Sequence, residues 1–176
     1  MNETGHWNGK LTKNTILNQP NNTKYVPESA LGTTPYKETG KVFFVRLGRK
    51  FVCSGASLIN NVVITAGHCM VYYGDWHKDW IFVPRYRDGK SPLGKWSAIK
   101  GFVHDRWRGR NEAGRDVAFA VVAKQNGKSI SQVTGALGFS VQRAGVNAIG
   151  YPVRNWGGEK MVHTVTMVKC KLKFVF

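Results

Sequence analysis

Thr65-Ala66-Gly67-His68-Cys69 closes a short apolar run, Val62-Val63-Ile64, and places an imidazole beside a cysteine at the end of a predicted strand. The run is β-branched and too short for a helix. It is flanked by turn residues, Asn60-Asn61 before it and Gly67 within the motif. Two features lie outward from it. Cys53 stands sixteen residues before Cys69, on the preceding apolar stretch. Asp116, in Arg115-Asp116-Val117-Ala118-Phe119, stands just before another apolar run. A histidine that works as a general base needs its ring held in one orientation and one tautomer. A carboxylate accepting its Nδ1–H supplies both and stabilises the imidazolium that forms.

The surrounding texture predicts an all-β protein. Candidate strands at 42–47, 51–59, 62–66, 80–83, 96–103 and 117–122 are rich in β-branched and aromatic residues and are separated by Gly, Asn, Asp and Pro. Asn60-Asn61 reads as a tight hairpin turn, since Asn tolerates positive φ. Six short strands in close succession favour a closed antiparallel barrel, which leaves no exposed edge. Residues 125–145 are more polar and read as a connection between two units. Strands at 146–151 and 161–170 then begin a second barrel that the sequence does not complete. Residues 1–39, polar and rich in Asn, Thr and Pro, read as an irregular leader. The expected organisation is therefore a leader at 1–39, a first barrel carrying His68 and Asp116 at 40–124, a connection at 125–145 and a partial second barrel at 146–176.

Composition bounds the function. Hydrophobic residues make up 42% of the 176, which excludes a disordered chain. No stretch approaches the roughly 20 apolar residues that span a bilayer, so no membrane partner is expected. The polar start, Met1-Asn2-Glu3-Thr4-Gly5-His6, lacks the apolar core of a signal peptide. Asn2-Glu3-Thr4 and Asn21-Asn22-Thr23 match the glycosylation sequon, which means nothing outside a secretory context. Lys and Arg number 26 against 10 Asp and Glu, a formal charge of +16. Scattered cations of this kind fit a secreted enzyme of high pI, with weak polyanion binding through the basic surface as a secondary expectation.

Cys53-Ser54-Gly55-Ala56-Ser57-Leu58-Ile59 followed by Val63-Ile64-Thr65-Ala66-Gly67-His68-Cys69 resembles the trypsin/chymotrypsin clan of serine proteases. The Ala66-Gly67-His68-Cys69 form, Gly40-Lys41-Val42-Phe43-Phe44, Trp80-Ile81-Phe82-Val83-Pro84 and Gly150-Tyr151-Pro152 are similar to its glutamyl-endopeptidase (V8-like) branch. The likeness runs from about residue 35 to 170. It implies a trypsin-like double barrel and a serine endopeptidase acting on protein or peptide substrates through the Ser-His-Asp triad. His68 would be its general base and Asp116 the orienting carboxylate. Cys53 and Cys69 would form a disulfide beside the histidine, contributing about 3 kcal/mol. The resemblance implies no cofactor, no metal, and a secreted or periplasmic location where disulfides persist.

One element of the family pattern is missing. Its nucleophile sits in a Gly-x-Ser-Gly-Gly segment, and these 176 residues hold none. Ser54-Gly55 precedes the histidine on the wrong barrel, and Ser140 lacks the flanking glycines. The chain is expected to be truncated before the nucleophile and inactive alone, with the partner of Cys170 beyond residue 176. A non-catalytic basic binding protein on the same scaffold is the alternative.

Rival readings of single residues are weaker. A zinc site from Cys53, His68, Cys69 and His77 has the wrong spacing for ligand pairs, which usually lie two to four apart. Gly127-Lys128-Ser129 lacks the earlier glycine of a phosphate loop, since position 122 is Val. Asp105 lacks an apolar run to bury it beside the histidine, and Asp75 and Asp79 follow His68 too closely. Arg106-Trp107-Arg108-Gly109-Arg110 reads as a solvated loop, with contact to nucleic acid or an acidic surface as the rival.

Overall fold

A computed structural model describes residues 22–139 and 146–166. Strand β1 (Lys24–Tyr25) and a 3-10 turn at Glu28–Ala30 precede β2 (Thr39–Arg46), β3 (Arg49–Ser57) and β4 (Val62–Thr65). A 3-10 turn at Gly67–Cys69 leads to β5 (Val71–Tyr72), β6 (Asp75–Trp76), β7 (Lys78–Pro84) and β8 (Trp96–Val103). Helix α1 (Asp105–Arg110) and a 3-10 turn at Ala113–Arg115 come before β9 (Ala118–Val122). Helix α2 (Ile130–Thr134), β10 (Val146–Gly150) and β11 (Val162–Thr166) complete the described chain.

The protein is all-β in architecture. Six strands close an antiparallel barrel in the order β2-β3-β4-β9-β8-β7, sealed by the pairing of β7 with β2. All six strands predicted for the first unit are present. The alternation on β9 shows why: Ala118, Ala120 and Val122 point inward and are fully buried, while Phe119 and Val121 between them are only partly so. Their inward neighbours include Val42, Phe44, Phe51, Val63, Trp80, Phe82 and Trp96. Gly40 is required where β2 crosses the Phe82 ring, since a Cβ there would lie 2.5 Å from a ring carbon and 2.6 Å from the Val83 carbonyl oxygen. The Asn60-Asn61 turn is wider than a two-residue hairpin. Residues 58–61 form the loop, Leu58 N–H donates to the Val62 carbonyl at 2.8 Å, and Asn60 takes the positive φ of 60°.

A three-stranded sheet, β1-β11-β10, lies beside the barrel. It draws on residues whose composition reads as irregular. Lys24 pairs with His163, and Val26 and Leu31 are buried with Val83, Tyr86, Tyr151 and Met161 in a second core. Buried Lys41 on β2 ties this side to the barrel. Its Nζ donates to Glu159 Oε1 at 2.7 Å and sits 4.4 Å from the Tyr86 ring centroid. The Tyr86 hydroxyl donates to the other Glu159 oxygen. Burial, helped by that carboxylate, pushes the Tyr86 phenol up to about 12, while the Lys41 hydrogen bond lowers Glu159. Ser54 Oγ accepts from Tyr151 N–H at 2.8 Å and so joins β3 to the end of β10. Residues 1–21, with the first sequon, residues 140–145, with Ser140, the end of the predicted 161–170 strand, Cys170 and the tail at 171–176 lie outside the described residues.

Candidate active site

Strands β4 and β9 are neighbours in the barrel, with Thr65 opposite Ala118. The register brings together what lies just beyond each end of that ladder: His68 after β4 and Asp116 before β9, 48 residues apart in sequence. His68 main-chain N–H donates to Asp116 Oδ1 at 2.8 Å, and the ring Nδ1–H donates to Oδ2 at 2.7 Å. Both carboxylate oxygens accept from His68, and the carboxylate selects the tautomer in which Nε2 is free to accept a proton. Both side chains are part-buried, 20% and 25% exposed. Among the described residues Nε2 has no hydrogen-bond partner. A cleft of about 490 Å³ passes Asp116 and Val117 between β4 and β10.

Cys53 on β3 and Cys69 in the turn form a disulfide, with Cα atoms 6.2 Å apart. Their sulfurs and a His68 ring nitrogen lie within 4.8 Å of one another. Sulfurs bonded to each other are not thiolates, so the cluster lacks the donors that a zinc site of this kind needs. His77, the fourth residue of that set, turns its Nε2 to the His68 carbonyl instead.

No family model and no curated protein matches the sequence. Among solved structures the chain is similar to a protease, Anisep, from Arthrobacter nicotinovorans, at 34% identity over 76% of this chain and 65% of that one, with a TM-score of 0.70. A thermostable serine protease, AL20, from an extremophilic microorganism is 29% identical over 73% of this chain and 64% of that one, with a TM-score of 0.67. A Glu endopeptidase shares the fold at 16% identity and a TM-score of 0.69, over 85% of this chain and 69% of that one. The fold is that of a trypsin-like serine protease. The chain spans about 65% of the length of the first two relatives.

Within this trypsin-like barrel, the segment from Arg106 to Arg110 departs from the sequence reading. It lies within helix α1, which exposes every residue but Trp107. Trp107 is 1% exposed and lies under the His68 turn. A short helix turns one side chain inward, which the surrounding run of cations conceals in the sequence. Its indole N–H donates to the Val71 carbonyl at 3.1 Å, and its ring centroid is 6.4 Å from that of His68. Gly67 makes this approach possible, since a Cβ there would sit 2.7 Å from the indole. Trp80 also supports the turn, donating Nε1–H to the Cys69 carbonyl at 3.0 Å. Asp105 opens α1, and Asp75 and Asp79 are exposed on β6 and β7; Asp116 takes both His68 N–H groups.

Proposed function

We propose that this chain carries the general base and the orienting acid of a serine endopeptidase, His68 and Asp116. The observation that supports the reading is the two-point hold of Asp116 on His68, which leaves Nε2 as the one ring nitrogen able to accept a proton. In the reaction, Nε2 would take the proton of a serine hydroxyl as its oxygen attacks the peptide carbonyl. The imidazolium, facing the Asp116 carboxylate, would then return that proton to the leaving amine. The nucleophile and the oxyanion-hole N–H groups belong to a Gly-x-Ser-Gly-Gly segment that these 176 residues do not contain. On this reading the chain is inactive alone.

The V8-like sequence features favour cleavage after acidic residues. The disulfide favours a secreted or periplasmic setting, and among the described residues no helix is long and apolar enough to cross a membrane. The test is covalent labelling with a fluorophosphonate. The 176-residue chain should stay unlabelled, and the chain joined to a Gly-x-Ser-Gly-Gly segment should be labelled unless His68 is replaced by Ala. Labelling of the 176-residue chain itself would overturn the reading that it is inactive alone.

The charge of +16 favours a second reading, a basic binding protein that retains the barrel without catalysis and engages polyanions weakly. Salt-sensitive binding to heparin that survives His68→Ala, together with an unlabelled extended chain, would select it.

A further inference from the structure

Three ring N–H groups converge on the main chain between His68 and Val71. Trp107 donates to the Val71 carbonyl, Trp80 to the Cys69 carbonyl, and His77 to the His68 carbonyl at 3.0 Å from Nε2. An indole has only one way to hydrogen-bond, as a donor. An imidazole has a choice, and here the surroundings make it. His77 is 9% exposed, its ring lies flat on Phe44 with centroids 4.5 Å apart and planes 5° apart, and its main-chain N–H donates to the Met70 carbonyl at 3.0 Å. Its Nδ1 is buried and, among the described residues, has no hydrogen-bond partner. A proton on Nδ1 would be buried and unsatisfied, and the Nε2 lone pair would then face the His68 carbonyl oxygen. A doubly protonated ring is disfavoured chiefly by burial and more weakly by the nearby Arg46 and His68; the hydrogen bond to the His68 carbonyl opposes this, and Asp75 opposes it more weakly still.

We propose that His77 is a positioning residue for His68: as a neutral Nε2–H imidazole, it fixes the His68 carbonyl and so completes a hold on that residue from three directions. Asp116 takes the main-chain N–H and the ring Nδ1–H; His77 takes the carbonyl. Both peptide units flanking the His68 Cα are then fixed, and the ring is fixed through its own nitrogen, so Nε2 points one way. The proposal deepens the reading of His68 as the general base and rests on it.

The test uses the ¹⁵N-labelled 176-residue chain and needs no nucleophile. Near neutral pH, long-range ¹H–¹⁵N spectra should show His77 neutral, with the proton on Nε2. A proton on Nδ1, or a charged ring, overturns the proposal. The H77F variant keeps an aromatic ring on Phe44 and removes the donor. Solvent exchange of the His68 Nδ1–H should then rise about fivefold, the factor one ordinary hydrogen bond supplies. His77→Gln, which retains an N–H, should recover most of that protection. A folded H77F chain with unchanged exchange at His68 overturns the proposal, because a residue that only supports the turn would leave that proton alone. If H77F does not fold, the tautomer of the parent chain decides. An unlabelled extended chain would sink the protease reading while leaving each of these outcomes legible.

Discussion

Asp116 grips His68 with both carboxylate oxygens, Oδ1 on the main-chain N–H at 2.8 Å and Oδ2 on the ring Nδ1–H at 2.7 Å. Asp116→Asn keeps the shape but offers one acceptor oxygen where two donors wait. Urea unfolding should show a loss of about 2 kcal/mol, the cost of leaving a part-buried donor unmet. In the extended chain, fluorophosphonate labelling should fall about 10⁴-fold, the magnitude known for the same change in the Ser-His-Asp triad of chymotrypsin-like proteases. An Asn variant as stable as the parent would show that the double contact does not stabilise the turn.

Gly67 and Trp107 should fail as a pair. Gly67→Ala drives a methyl into an indole 2.7 Å away and should cost about 1–3 kcal/mol. Trp107→Ala removes a fully buried ring and should cost about 3–5 kcal/mol. The double variant should be less destabilised than the two losses added, because the new methyl then enters the vacated space. Strict additivity in a double-mutant cycle would contradict the contact.

The disulfide spans 16 residues and should contribute about 3 kcal/mol, read as the shift in unfolding midpoint of the Cys53→Ser, Cys69→Ser chain. Parent protein treated with dithiothreitol should converge on the same midpoint. If it keeps its original midpoint, the bridge was not formed.

His77 sets an acid-side slope. Burial lowers its folded pKa to about 4 from an unfolded value of 6.5. Its contribution is intact above pH 6.5, where the ring is neutral in both states. Below that the unfolded chain takes up a proton that the folded chain refuses, so stability falls until pH reaches about 4. The loss should reach about 3 kcal/mol across that window. Unfolding curves of His77→Phe should lack this component, and an equal slope in both proteins would rule it out.

Lys41 and Glu159 should respond unequally. Glu159→Ala strands a buried ammonium on the Tyr86 and Phe43 rings and should lower the melting temperature clearly. Lys41→Met removes the charge together with its need for a partner and should cost less. The reverse ranking would mean that the ammonium is well solvated in the folded chain.

The barrel was legible because β-branched and aromatic runs such as Val62-Val63-Ile64 alternate with turn residues, and each run is short enough to be a strand and nothing else. His68, Asp116 and the paired cysteines were legible as a motif set. Helix α2 also carried a written signal, since Ser129 and Gln132 form a capping box with the spacing that such boxes require. Trp107 was hidden by its neighbours: three arginines in a five-residue stretch look solvated, and only the close packing of Gly67 shows which way the tryptophan turns. The support given by Trp80 and His77 was hidden for another reason. A ring N–H that meets a carbonyl from a separate strand leaves no periodicity to read. Val26 and Leu31 were lost in a polar stretch because two buried side chains among many hydrophilic ones do not change a composition.

Because Thr65 faces Ala118 across a barrel rung, strand registry brings the segments that carry His68 and Asp116 side by side. The chain between them, with its hairpin, long strands and α1, is enclosed by a fixed frame, and its length does not enter the geometry. Insertions or deletions in those intervening loops can therefore diversify the rim around His68 without separating His68 from Asp116, whereas a two-residue slip of β4 on β9 would carry the two about 7 Å apart. The barrel works here as a vernier, and its loops are free to be rewritten.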